Sequence, residues 1–225
     1  MDLRALSAEI IACRRCPRLV EYRERVARER RRAYRDWGYW GRPLPGFGNR
    51  AARLMVIGLA PAAHGGNRTG RLFTGDRSGD WLYETLYRFG FANQPSSTHR
   101  DDGLRLNDAY VTAAVRCAPP DNKPTTEELR NCQPYLEREV ELLRKVRVAV
   151  ALGRIAFDSY LSARRALMMP VPQPRPRFGH AAIHELSDVL LIGSYHPSQR
   201  NTQTGMLTHA MFDRVFAAVR QLLGE

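Results

Sequence analysis

Four short apolar runs set the architecture this chain can adopt: "RLMVIG" (53–58), "DAYVTAAV" (108–115), "VRVAVALG" (146–153) and "DVLLIGSYHPS" (188–198). Each is apolar over several consecutive residues and bounded by turn-forming ones, the pattern of a strand buried on both faces. Helix-forming stretches alternate with them. Residues 78–90 are expected to be helical, with Ser78 as N-cap and Gly90 as the C-terminal stop. The helix at 125–145 begins with a Thr N-cap and Glu in its first turn, and Pro134 is expected to kink it. Further helices are expected at 154–165 and 204–223, and before the first strand at 2–12 and 17–35, with Pro17 in a first turn. Alternation of this kind predicts an α/β fold in three layers, with a central, mostly parallel four-stranded sheet flanked by helices. The 225 residues suffice for one sizeable core, so 1–225 is expected to form a single domain.

In such sheets the site lies beyond the carboxyl ends of the strands. Three loops occupy that edge. "GLAPAAHGGNRTGRLFTGD" (58–76) is rich in glycine, which permits close backbone approach, yet it has no Lys-Ser/Thr pair for a nucleotide phosphate. Its Asp76 falls just before a helix, where a carboxylate accepts backbone N–H bonds; the other reading places it in the pocket, orienting a neighbour or a water. "RCAPPDNKP" (116–124) is stiffened by prolines and carries Asn122, which both donates and accepts, and Lys123, which could meet a phosphate. "SYHPSQRNTQTG" (194–205) places His196 before a proline, away from helical geometry and on the rim of the sheet. The polar residues that follow it, Ser198, Arg200 and Asn201, suit contacts with a phosphate backbone.

Charge points to the same kind of partner. Lys and Arg number 35 against 23 Asp and Glu, a net charge of +12, so a polyanion, most simply nucleic acid, is expected. The helix at 17–35 is densely basic, and its arginine face is either solvated or turned to DNA. A membrane surface is disfavoured, since no basic amphipathic helix carries an aromatic face. No apolar run approaches the roughly 18–20 residues that span a bilayer, and the N-terminus lacks the pattern of a signal peptide, so a cytoplasmic location is expected.

The chain has four cysteines. Cys13 and Cys16 form C-x2-C; Cys117 and Cys132 lie far downstream. In a cytosolic chain, cysteines with Arg, Pro and polar neighbours indicate metal or redox chemistry rather than disulfides. Zinc usually takes paired knuckles, and only one is present. A [4Fe–4S] cluster tolerates unequal spacings and is favoured, with zinc second. Its role would be structural, tying the N-terminus to a distant loop.

Together these motifs resemble the uracil-DNA glycosylase superfamily. "GLAPAAHG" is similar to its first motif and "HPSQRNTQTG" to its last, and with the cysteine set they are most like family 5 (type B), whose members carry a [4Fe–4S] cluster. The resemblance spans the chain from Cys13 to the final helix. It implies a monomeric hydrolase that flips uracil or another deaminated base out of double-stranded DNA and breaks its N-glycosidic bond. Two departures from family 4 matter. Leu59 stands where those enzymes have Glu, and Thr112-Ala113 where they have a uracil-reading Asn, which implies a roomier, less selective pocket. The resemblance then assigns Phe73 to stack on the flipped base, His196 to donate to its O2 and Asn122 to hold the water, for which Asp76 is the other candidate. Gly58, Ala60, Ala62 and Ala63 would contact the base through the backbone. A non-catalytic, cluster-bearing nucleic-acid-binding protein is the alternative, since loss of the Glu and Asn could mean loss of activity.

Overall fold

All four expected strands form, and they make the parallel centre of the sheet. The computed structural model describes residues 2–224. In chain order the elements are α1 (Leu3–Ala12), α2 (Pro17–Glu29), β1 (Phe47–Gly48), β2 (Leu54–Gly58), α3 (Gly66–Thr69), α4 (Arg77–Arg88), β3 (Ala109–Ala113), α5 (Thr126–Leu142), β4 (Val148–Leu152), α6 (Arg154–Ala166), β5 (Ile183–Glu185), β6 (Leu190–Ser194), α7 (Gln199–Gln203) and α8 (His209–Leu222). Single 3-10 turns lie at Arg32–Tyr34 and Pro120–Asn122. The sheet has six strands rather than four, in the order β1-β3-β2-β4-β6-β5. The two additional strands are antiparallel edges, β1 on β3 and β5 on β6.

The strand sequences explain the layering. Side chains alternate across a strand. Leu54, Val56, Val111, Val148, Val150 and Ile192 enter one core, which α4 and α8 cover. Met55, Ile57, Tyr110, Ala149, Ala151 and Leu191 enter the other, beneath α1, α5 and α6. Both faces of the central strands are thus buried, as their uninterrupted apolar runs require.

Helix ends follow local chemistry, with three corrections to the expected bounds. The N-cap of α4 is Asp76, not Ser78: its carboxylate accepts the Gly79 N–H at 3.0 Å. The basic helix stops at Glu29, because Arg30 adopts a left-handed φ of 52°. The last helix starts at His209, capped by Thr208, and not at 204; residues 204–208 form a turn that follows the short α7. Other expectations hold. Gly90, at φ 72°, ends α4, and Thr125 with Glu128 forms a reciprocal capping box at the start of α5. At Pro134, where a kink is expected from the sequence, α5 instead continues as one helix from Thr126 to Leu142.

Topology places the site. From β2 the chain crosses to β3 on one side and later to β4 on the other. The carboxyl end of β2 is therefore a switch point, the position where parallel sheets open a crevice. The loop that begins at Gly58 leaves from there.

Candidate active site

Gly58 is the last residue of β2, and its missing side chain makes room for an aromatic ring. A Cβ there would lie 2.5 Å from the Phe73 ring. Across the sheet its register partner is Ala113, so the strand ends beside this ring are lined by the smallest side chains. Phe73 itself sits at φ 53°, in a turn so tight that a Cβ on Gly79 would meet its carbonyl oxygen at 1.8 Å. That turn sets the ring against His196, their centroids 5.8 Å apart and their planes 28° from parallel.

His196 arrives from the end of β6, and its backbone is fixed by the residues that follow. The Ser198 N–H donates to the His196 carbonyl at 2.8 Å, and Asn201 Nδ2 donates to the same oxygen at 2.9 Å. The Ser198 hydroxyl caps α7 by accepting from Asn201 N at 3.3 Å. Ser198 and Asn201 thus hold the histidine loop, whereas Arg200 is exposed. One residue before the histidine, the Tyr195 N–H donates to His180 Nδ1 at 3.1 Å, and these two rings stack at 4.8 Å. Burial pushes the His196 pKa down to about 4, with no contribution from a neighbouring charge. The ring is therefore neutral at pH 7 and retains one N–H to donate.

Asp76 uses its two oxygens differently. Oδ1 caps α4, while Oδ2 faces the backbone of Gly65: a Cβ there would lie 2.1 Å from it. Burial raises the Asp76 pKa against the pull of the Gly79 N–H, which makes this carboxylate a stronger base than an exposed one. Asn122 is exposed in the 3-10 turn of the β3–α5 loop at φ 55°, and among the described residues no hydrogen bond or ring contact joins it to Phe73, Asp76 or His196. Nor does any hydrogen bond among the described residues engage the N–H groups of Ala60, Ala62 and Ala63, which leaves three donors at the loop's start. Lys123 is exposed on the same turn as Asn122.

Several residues that shape the site carry no motif. Arg68 is buried, and donates to the His64 carbonyl at 2.7 Å and to the Gly75 carbonyl at 2.9 Å, spanning the glycine-rich loop. Its guanidinium is held between the rings of Tyr34, at 3.9 Å, and Trp37, at 4.3 Å. An arginine in a glycine-rich loop gives no sign of this role; the one hint is the aromatic character of the segment before it. Thr112, beside the departure at Ala113, belongs to a buried polar network. Glu139 accepts from its hydroxyl at 2.5 Å, from Tyr110 at 3.2 Å and from Arg116 at 2.7 Å.

The four cysteines converge although they come from distant segments. Cys13, Cys16, Cys117 and Cys132 line one cavity, with Arg23, Arg116 and Asn131. Burial raises the Cys117 thiol to about 12 and Cys132 to about 11, so a cation is needed to hold these sulfurs as thiolates near neutral pH. Arg23 Nη1 donates to Cys117 Sγ at 3.0 Å and Asn131 Nδ2 to Cys16 Sγ at 3.5 Å. The Nε donors of Arg23 and Arg116 are buried without a partner, beside the sulfurs. Among the described residues no three His, Cys, Asp or Glu side chains come close enough to hold one metal ion.

A parallel sheet with its crevice at the β2 switch point, an aromatic ring there facing a neutral histidine, and a cysteine-lined cavity behind define a class. The sequence profile of the Uracil DNA glycosylase superfamily matches residues 45–220, and the chain belongs to that superfamily. Within it the similarity is to the type-5 enzymes. The chain is 50% identical over 225 residues to the type-5 uracil-DNA glycosylase of Thermus thermophilus, covering 100% of both chains. It is 51% identical over 221 residues to the one of Mycobacterium tuberculosis, which covers 97% of this chain and 81% of the relative. A type-4 uracil-DNA glycosylase of Pyrobaculum aerophilum is 32% identical over 169 residues, 74% of this chain and 69% of that one.

Proposed function

We propose that this chain is a DNA repair glycosylase, which takes uracil, and other deaminated bases, out of duplex DNA and hydrolyses the N-glycosidic bond to leave an abasic site. The observation that carries this reading is the Phe73–His196 pair, brought together from the loops after β2 and β6 at the carboxyl edge of the sheet in a member of this superfamily. A base in a duplex is out of reach, so it must be flipped, at a cost of a few kcal/mol that is least for a mispaired base. Phe73 offers the flipped base a stacking face. As the C1′–N bond breaks, its electron pair stays with the base and negative charge grows on O2. The neutral His196 N–H stabilises that charge, a contribution of about 2.7–4 kcal/mol in a dry site. The unengaged N–H groups of Ala60, Ala62 and Ala63 are further donors to the base. Water adds to C1′ and releases its proton. Asp76 Oδ2, beside Gly65 on the loop that carries Phe73, is better placed to hold that water than the exposed Asn122. Arg200 is a candidate phosphate contact, while Ser198 and Asn201 act through the histidine loop.

For the cysteine cavity we favour a [4Fe–4S] cluster held by Cys13, Cys16, Cys117 and Cys132. The meeting of all four cysteines in one cavity and the unpartnered Nε donors of Arg23 and Arg116, which line it, support this reading. Bound there, it would cross-link the N-terminal helices to β3 and α5; the excision chemistry needs nothing from it.

One assay tests the whole reading. Purified protein is incubated with duplexes containing uracil, hypoxanthine, xanthine or a thymine mispair, and abasic sites are cleaved with alkali. Strand scission at uracil is expected; none at any of the four bases would leave a binding protein. Under single turnover, His196→Ala is expected to slow release at least a hundredfold with DNA affinity nearly unchanged. Asp76→Asn is expected to slow it strongly and Asn122→Ala only modestly. The reverse order would make Asn122 the water holder.

A further inference from the structure

We infer that the arginine segment at the end of α2 is a clamp for the phosphate backbone, fastened mechanically to the base pocket; the inference rests on the reading of the chain as a DNA glycosylase. Residues 28–35 hold five arginines and one glutamate. The helix breaks at Arg30, and the chain turns through the 3-10 segment, so Arg28, Arg31, Arg32 and Arg35 are all exposed. None of these four forms a direct ion pair among the described residues, although the Arg28 charge reaches Glu24; exposed arginines elsewhere do pair, Arg14 with Glu24 and Arg88 with Asp213. Like charges concentrated without ion-pair partners create a local positive potential that attracts an anion.

A charged run is most often only a solvated face. Here the segment is tied to the pocket at two points. Tyr34 and Trp37 close over the Arg68 guanidinium, whose hydrogen bonds run to His64 and Gly75, the latter directly before Asp76. Tyr39 OH lies 3.1 Å from His64 Nδ1, and the Arg31 charge lies near enough to lower the His64 pKa, which burial lowers most. The arginines therefore sit beside the loop that holds Phe73 and Asp76, on the carboxyl edge of the sheet. A duplex whose base enters the pocket must pass its phosphates over that edge. The fit is to a continuous polyanion: several exposed cations spread along one surface segment suit a chain of phosphates rather than one small anion.

The test uses a lesion-free duplex, so that it reads binding and not chemistry. In the triple variant Arg28→Gln, Arg32→Gln, Arg35→Gln, affinity for this duplex is expected to fall at least tenfold near 0.1 M salt. The slope of log affinity against log salt should flatten by about 0.9 for each phosphate that is no longer neutralised. The Lys version of the same triple variant should restore both, and the unfolding midpoint of each should stay close to wild type. Wild-type affinity and slope in the Gln variant would overturn the clamp, as would a loss that Lys does not restore. Trp37→Ala should leave the salt slope intact while slowing single-turnover release, because it loosens Arg68 and the pocket loop; an unchanged rate would overturn the mechanical link. Failure of the glycosylase reading would look different: wild-type protein would release no base, while its lesion-free binding would keep its dependence on these arginines.

Discussion

His196 stays neutral because it is buried. Its pKa is about 4 in the fold against an ordinary value of 6.5, because burial disfavours the charged ring. Above about pH 6.5 both folded and unfolded chains hold a neutral imidazole, and this group leaves stability flat. Between pH 6.5 and 4 the unfolded chain takes up a proton that the fold refuses, so stability falls, by at most about 3 kcal/mol at 1.36 kcal/mol per pKa unit. Denaturant titrations at pH 7 and pH 5 should show this loss in the wild type and a smaller one in His196→Asn. Gly58 is the complementary case, where what matters is an absent atom. Gly58→Ala would place a Cβ 2.5 Å from the Phe73 ring and displace it from His196. Release of uracil should fall at least tenfold in a protein whose far-ultraviolet circular dichroism is unchanged. A wild-type rate would mean that the ring position is not needed.

Among the elements, α5 does the most varied work. Its first turn is set by the Thr125–Glu128 box, and Glu128 also accepts both arms of Arg18 at 2.7 Å, joining α5 to α2. Farther along it carries Cys132 into the cavity and Glu139 into the network under Thr112. Thr125→Ala removes one cap and is expected to lower unfolding free energy by about 1 kcal/mol, read by urea titration, without altering base release at saturating enzyme. Element positions were legible to differing degrees, for reasons the residues supply. The Thr125 start and the Gly90 stop are local chemistry, so the sequence shows them. The end of α2 is not, since nothing in "RERRR" marks Arg30 for a left-handed turn. Likewise β1 and β5 have two and three residues and partly exposed side chains, and they exist only because β3 and β6 offer them hydrogen-bonding edges.

At the scale of the molecule, two long-range closures matter: the Phe73–His196 contact, from the loops after β2 and β6, and the cysteine cavity, from the ends of α1 and α2, the β3–α5 loop and α5. Removing a cluster from the second with a chelator is expected to lower the unfolding midpoint and to open tryptic cleavage at Arg14, Arg15 and Arg18, with iron and sulfide restoring both. A chelated protein with an unchanged midpoint would argue against the cross-link. What the sequence by itself determined was the order of strands and helices, the parallel centre of the sheet, the three loops at its carboxyl edge and the cysteine set, because periodicity, capping residues and motif spacing are written locally along the chain. Only the folded chain sets Phe73 against His196, gathers the four cysteines into one cavity and seats Arg68 against Tyr34 and Trp37. Those contacts join side chains far apart in sequence, which the packed sheet and its crossovers bring together.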